Sequence, residues 1–162
     1  MLEGAGIAAS DRTDAALEEL KVYHTQTNLW EAVTPGARDA LALLREQGLT
    51  LIVTSNANGR LHALFDRLDL SRFFDVIVDS YLERVEKPDP RLFRIAAERA
   101  GARPEETLHV GDLYHVDVAG ARAAGMYPLL VDAADLYRDA DCPRVRAISD
   151  LPKLLRSGHL RF

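Results

Sequence analysis

Residues Thr107 to Asp117 read TLHVGDLYHVD, and this stretch decides the fold. Apolar residues run into Gly111 and Asp112, the pattern of a short buried strand that delivers a carboxylate to the carboxyl edge of a sheet. Gly111 leaves room at that edge for a ligand or ion. The following loop is expected to turn a second carboxylate, Asp117, back toward the same point. Two converging acids at a strand end suit a hard cation such as Mg2+, which prefers oxygen ligands and keeps several of its waters.

Outward from this stretch, helix-like and strand-like segments alternate from Thr34 onward with short connections. That order predicts an α/β fold, a parallel sheet covered by helices on both faces. Thr34 is placed to cap a helix whose first position is Pro35, with Ala37, Leu41 and Leu44 inward and Gly48 as its stop. Leu49 to Val53 reads as a strand ending in Thr54, Ser55 and Asn56. A helix follows over roughly Arg60 to Leu68, then a strand from Val76 to Val78 that reaches Asp79. Asp89 and Pro90 open a helix with Leu92, Phe93, Ala96 and Ala97 inward, closed by Gly101. Beyond the Leu108 to Val110 strand, a short helix ends at Gly125 and Pro128 to Val131 forms a further strand. Ala147 and Ile148 are expected to add an edge strand, and Asp150 to cap a last helix with Leu151, Leu154 and Leu155. The first 33 residues differ: a helical pattern runs from Asp14 through Leu17, Leu20 and Tyr23 toward Leu29 and Trp30, with no long apolar strand before it. The expected division is therefore 1–33 as helices and 34–162 as the α/β unit.

Composition narrows the function. The 162 residues fit one domain with a real core. Apolar residues make up 48% without a continuous run able to span a bilayer, and the N-terminus lacks the charged-then-apolar order of a secretory signal. A cytoplasmic protein with no membrane partner is the expectation. A net charge of −5, with arginines scattered among acids, argues against nucleic acid as a partner. The single cysteine, Cys142, excludes an intrachain disulfide and a cysteine-built metal cluster.

Taken singly, the polar residues at the strand ends have ordinary readings: Ser55 and Asn56 as turn residues, Lys87 as a surface lysine, Asp112 and Asp117 as helix-capping acids. His109 and His115 lack a metal-ligand spacing, and His109 reads as a core histidine. Taken together they gain meaning, because ligands of open α/β sheets bind outside the carboxyl ends of the strands. A hydroxyl, an amide, an ammonium and two carboxylates would collect there, and such a set can hold a phosphoryl group and its metal. Ser55 would donate to phosphate oxygens, Lys87 would supply fixed positive charge, and Asp112 would ligate Mg2+ while Asp117 orients a coordinated water.

At these residues the chain resembles the haloacid dehalogenase superfamily of hydrolases, over about Tyr23 to Leu155. LIVTSNANGR is similar to the family's second motif, with Ser55 in the hydroxyl position and Asn56 as its neighbour. EKPDPRLF is similar to the third and makes Lys87 the family lysine. HVGDLYHVDVAGARAAGM is similar to the fourth and gives Asp112 and Asp117 the acidic positions. The resemblance implies a Rossmann-like sheet, Mg2+ as cofactor, catalytic roles for Ser55, Lys87, Asp112 and Asp117, and substrate contacts from Ser55, Asn56 and Lys87. It also implies the helical-capped, phosphatase-like branch acting on a small phosphorylated metabolite, with residues 1–33 as the remnant of the cap. A dehalogenase is less favoured, and a receiver domain is set aside because its lysine comes last.

The same resemblance requires a first motif, an apolar strand running into Asp-x-Asp-Gly-Thr whose first Asp is the nucleophile. That motif does not occur in this sequence. SDRTDA offers Asp11 as a weak substitute without the Gly-Thr, and Asp79 lies between the second and third motifs, where it reads as structural. The resemblance places the first-motif strand between the Leu49 and Leu108 strands. Without it both lose a neighbour, and open edges promote association. The expectation is little or no turnover by these 162 residues. Three accounts stay open: a chain that is part of a longer enzyme, which is favoured; a strand supplied by another chain or within a homodimer; or a non-catalytic phosphate- or partner-binding module.

Overall fold

A computed structural model of the chain describes residues 6, 8–26 and 31–158, and Leu29 and Trp30 lie outside them. The chain forms two compact units, Met1–Ala32 and Val33–Phe162. The first contains α1, Asp11–Gln26, opened by a reciprocal cap: Ser10 N donates to Thr13 Oγ1 at 2.8 Å and Thr13 N to Ser10 Oγ at 3.2 Å. Those bonds satisfy backbone donors that a helix start leaves open. Asp11 is thus an exposed residue of a helical first turn, without the strand end a nucleophile of this kind would need.

In the second unit, α2 spans Ala37–Glu46, β1 Ile52–Ser55, α3 Leu61–Arg67, β2 Val76–Asp79, α4 Ser80–Glu83 and α5 Pro90–Arg99. Then come β3 Leu108–Gly111, α6 Ala119–Ala124, β4 Tyr127–Val131, β5 Arg144–Val145 and α7 Leu151–Arg156. A single π-type turn, Tyr114–Val118, joins β3 to α6. All pairings are parallel, as the alternating order requires.

Among the described residues the strands form two sheets. β1 pairs with β2, in the register Ile52 to Val76 through Ser55 to Asp79. β3, β4 and β5 form a separate three-stranded sheet in that order. Helices join the two pieces from both faces. From α5, Leu92 and Ala96 pack with Val78, Val85 and Ile52, while Phe93 and Ala97 pack with Ala121, Ala124 and Met126. Phe93 also meets the His109 ring edge-on at 4.7 Å. Across the other face, Leu44 of α2 packs in one cluster with Leu51 before β1, Leu108 and Val110 of β3, and Leu129 of β4.

The expected elements hold with local corrections. The first helix of the α/β unit starts at Ala37, because Thr34 and Pro35 belong to a turn and Gly36, at φ 76°, caps it without a side-chain bond. Its buried face is Ala37, Ala40 and Leu44, with Leu41 half-buried. β1 begins three residues later than expected, since Leu49 lies exposed after the Gly48 turn. Asp89 and Pro90 open α5 as expected: Asp89 Oδ1 accepts from Arg91 N at 2.9 Å, and proline occupies a position that has no partner for an N–H. The edge strand is Arg144–Val145, and Ile148 instead starts a short 3₁₀ turn whose Asp150 accepts from Ala147 N at 3.1 Å. No helix among the described residues is long and apolar enough to cross a membrane.

Candidate functional site

Ser55 and Asp79 end β1 and β2, and Asp112 and Asp132 directly follow β3 and β4; hydrogen bonding separates those that hold the fold from those left available. Three of the acids there are committed. Asp79, buried at the end of β2, accepts from Tyr81 N at 3.0 Å and Leu61 N at 3.1 Å, which makes it a structural cap for α4 and the start of α3. Asp132, buried just after β4, accepts from Leu136 N, Tyr137 N and Arg144 Nη1 at 2.8, 2.9 and 2.6 Å. Asp117 is the third. Asp112, directly after β3, is exposed and its side chain has no hydrogen bond or ion pair with a described residue. The Ser55 hydroxyl at the end of β1 is likewise uncommitted among the described residues.

Asp117 is organised from three directions. Its Oδ1 accepts from Lys87 Nζ at 2.7 Å and faces His109 Nε2 at 3.1 Å, and its Oδ2 accepts from Leu113 N at 3.0 Å. The side chains of Asp117 and Lys87 are 4% and 13% exposed, so this is a nearly dry ion pair. Burial pushes the Asp117 pKa up. The His109 and Lys87 hydrogen bonds, the Lys87 charge and the Leu113 N–H together outweigh it and hold the carboxyl well below the usual carboxylate range.

Gly111 explains how the acid reaches this position. A Cβ on Gly111 would stand 2.2 Å from Asp117 Cγ and 2.4 Å from Asp117 Cβ, so the missing side chain makes space for the carboxylate itself. The room expected there for a ligand is filled by Asp117. A second close approach occurs at Gly120, where a Cβ would lie 2.5 Å from the Phe93 ring and 2.9 Å from the Pro88 carbonyl oxygen. This lets the lysine loop and α5 settle onto α6.

Lys87 is held at its backbone as well. Lys87 N donates to Asn56 Oδ1 at 2.7 Å, and Asn56 Nδ2 donates to the Lys87 carbonyl at 3.0 Å. Asn56 therefore clamps the lysine segment, which enters a cis Lys87–Pro88 bond. The loop after Ser55 is fixed in turn by Ser80, whose buried hydroxyl accepts from Ala57 N at 3.0 Å.

The structure thus links Asn56, Lys87 and Asp117 through direct bonds, while Ser55 and Asp112 lie at the ends of β1 and β3 and form no bond to them among the described residues. His109, read from sequence as a core residue, is a half-buried partner of Asp117. The period-two rule carried that signal, because His109 and Gly111 share one face of β3. His115 is exposed against Tyr114 and takes no part. Cys142 is a free, half-buried loop thiol.

For a divalent cation the donors are one uncommitted carboxylate, Asp112, beside an acid whose oxygens are engaged. No cluster of three or more His, Cys, Asp or Glu that could hold a metal exists among the described residues. The one uncommitted carboxylate, Asp112, offers hard oxygen donors, the ligand type that Mg2+ takes one or two of beside its waters.

The unit is a parallel α/β fold in which a buried ammonium, Lys87, and a buried carboxylate, Asp117, pair close to the ends of β1 and β3. Comparison with known proteins makes this specific. A model of the haloacid dehalogenase-like hydrolase family matches residues 3–125, and the chain belongs to that family. It is 34% identical over 154 residues to haloacid dehalogenase-like hydrolase domain-containing protein 3 of Mus musculus, covering 93% of this chain and 61% of the relative. It is also 34% identical over 105 residues to glyceraldehyde 3-phosphate phosphatase of Pyrococcus furiosus, covering 64% of this chain and 44% of that protein. The chain therefore spans 44% to 61% of the length of these relatives. Among solved structures, a HAD phosphatase from Thermococcus onnurineus superposes with TM-score 0.71 at 29% identity, covering 76% of this chain and 58% of that one.

Proposed function

We propose that the chain carries the phosphate- and metal-facing part of a Mg2+-dependent phosphatase of small phosphorylated metabolites. The observation that carries this reading is the buried Lys87–Asp117 pair, with Asp112 and Ser55 uncommitted at the ends of β3 and β1. Family membership and a phosphatase among the relatives add support. Lys87 holds its charge toward a phosphoryl oxygen, fixed by Asp117 at the side chain and by Asn56 at the backbone. Ser55 Oγ donates to a second oxygen, and Asn56, the expected substrate neighbour, serves by holding the Lys87 segment. Asp112 would ligate Mg2+, and Asp117 would orient one of its waters. Bound there, the cation would neutralise charge on the phosphoryl group and polarise it.

Hydrolysis also needs a nucleophile, and Asp-x-Asp-Gly-Thr does not occur in these 162 residues. Little or no turnover by this chain alone is therefore part of the proposal, as is a cytoplasmic setting. A second reading, a non-catalytic phosphate-binding module, rests on the same residues. Inorganic phosphate binding with Mg2+, followed by NMR, tests the shared part, and p-nitrophenyl phosphate hydrolysis separates the two. Phosphate binding that Lys87→Ala weakens at least about tenfold is expected, since a charge-assisted bond contributes ~1.5–3 kcal/mol. Equal phosphate affinity of the wild type and Lys87→Ala would refute both readings.

A further inference from the structure

We infer that His109 is a positioning residue of the anion site: its Nε2–H donates to Asp117 Oδ1 and thereby fixes the point at which the Lys87 ammonium is held. Asp117 Oδ1 lies 3.1 Å from His109 Nε2 and 2.7 Å from Lys87 Nζ. An ionised carboxylate can only accept, and the ammonium at this distance keeps Asp117 ionised. The hydrogen between imidazole and carboxylate therefore sits on Nε2.

Lys87 by itself cannot define where the pair stands. An ammonium is a compact charge with rotatable donors on a flexible stem, and the last torsion of an aspartate is broad. A lysine and an aspartate bonded only to each other could shift together. Here the carboxylate is pinned at both oxygens, Oδ2 by Leu113 N at 3.0 Å and Oδ1 by the imidazole. Two fixed donors on different oxygens set its plane.

The imidazole is held in its turn. It is carried by β3, its side chain is 13% exposed, and it meets the Phe93 ring edge-on at 4.7 Å. Phe93 is 1% exposed and packs with Ala97, Ala121, Ala124 and Met126. Gly120 admits the same ring, since a Cβ there would stand 2.5 Å from it. Packing between α5 and α6 is thus passed through one planar ring to Asp117 and on to the ammonium. Lys87 uses one N–H on Oδ1 and keeps two for an anion. This role rests on the phosphate reading of the site; the Nε2–H bond does not.

The test uses the full 162-residue chain as wild type, Lys87→Ala, His109→Leu and His109→Gln, the last of which retains a donor in place of Nε2. Nitrogen NMR of the labelled wild type, without phosphate or Mg2+, should show a protonated Nε2 on His109. Titration with inorganic phosphate and Mg2+ should show His109→Leu binding about fivefold more weakly, the factor that a hydrogen bond of about 1 kcal/mol represents. His109→Gln should recover most of that loss, and urea unfolding identifies the conditions in which every variant is folded. A purely structural histidine would lower stability in both variants without separating their phosphate affinities. The inference is overturned if Nε2 carries no hydrogen, or if His109→Gln binds phosphate no better than His109→Leu. It is overturned alone, with the phosphate reading intact, if Lys87→Ala loses affinity while His109→Leu keeps it. Equal phosphate affinity of wild type and Lys87→Ala removes the phosphate reading and this role together.

Discussion

Replacing Asp117 by Asn should destabilise the chain by ~3 kcal/mol while leaving its shape almost unchanged. Asparagine is nearly isosteric, and its carbonyl can still accept from Leu113 N, at 3.0 Å in the native chain. What disappears is the charge opposite Lys87 Nζ, 2.7 Å away and 13% exposed. Removing one partner of a buried pair strands the other, at ~3–5 kcal/mol, and the retained backbone bond places the value at the lower end. For a chain of this length ~3 kcal/mol lowers Tm by about 6–12 °C. Urea unfolding at pH 7 measures the loss, with an unchanged m-value marking a pure stability effect. Lys87→Met should relieve most of it, so the double variant should be less destabilised than the sum of the singles by ~2 kcal/mol. The acid limb supplies a second reading. The folded Asp117 pKa is depressed, so its stabilisation is complete above the unfolded carboxyl value of about 4 and drains away as pH falls toward the folded value. Asp117→Asn should flatten stability against pH below about 4–5. A loss under about 1 kcal/mol, or additive single effects, would show that the pair is not buried as described.

Gly111→Ala should rival that loss at ~2–3 kcal/mol, because the new methyl occupies the Asp117 carboxylate's position; thermal melting checks it. Asn56→Ala should cost only about 1 kcal/mol, given an exposed side chain, yet weaken phosphate binding severalfold by freeing the lysine segment. Denaturant titration alongside phosphate titration should show this split between small stability loss and larger affinity loss. Asp11→Asn should leave any residual p-nitrophenyl phosphate hydrolysis unchanged, since Asp11 is exposed in the first turn of α1. Abolition of measurable turnover by this substitution would contradict the helical placement of the nucleophile candidate.

Sequence reading located the strands and helices well where local rules dominate. Asp89 and Pro90 fix the start of α5 by capping chemistry, and the spacing of Leu92, Phe93, Ala96 and Ala97 identifies its buried face. It erred where backbone geometry outweighed side-chain preference: the positive φ of Gly36 sets the start of α2, whatever Thr34 offers. In the site, the residue types at the strand ends were legible, but their commitments were not. Whether Asp79, Asp112 or Asp132 is free depends on N–H groups from loops such as Leu136–Tyr137, and no pattern in the chain announces those. Asn56 is the plainest case, since its role is set by Lys87, 31 positions away.

Helix α5 assigns adjacent residues to different pieces of β-structure, with Leu92 serving β1 and β2 while Phe93 serves β3 and α6. Neither piece can be stripped away without exposing one flank of the same helix. Heating should therefore melt both at one temperature, as a single calorimetric peak, although no ladder of backbone bonds among the described residues connects them.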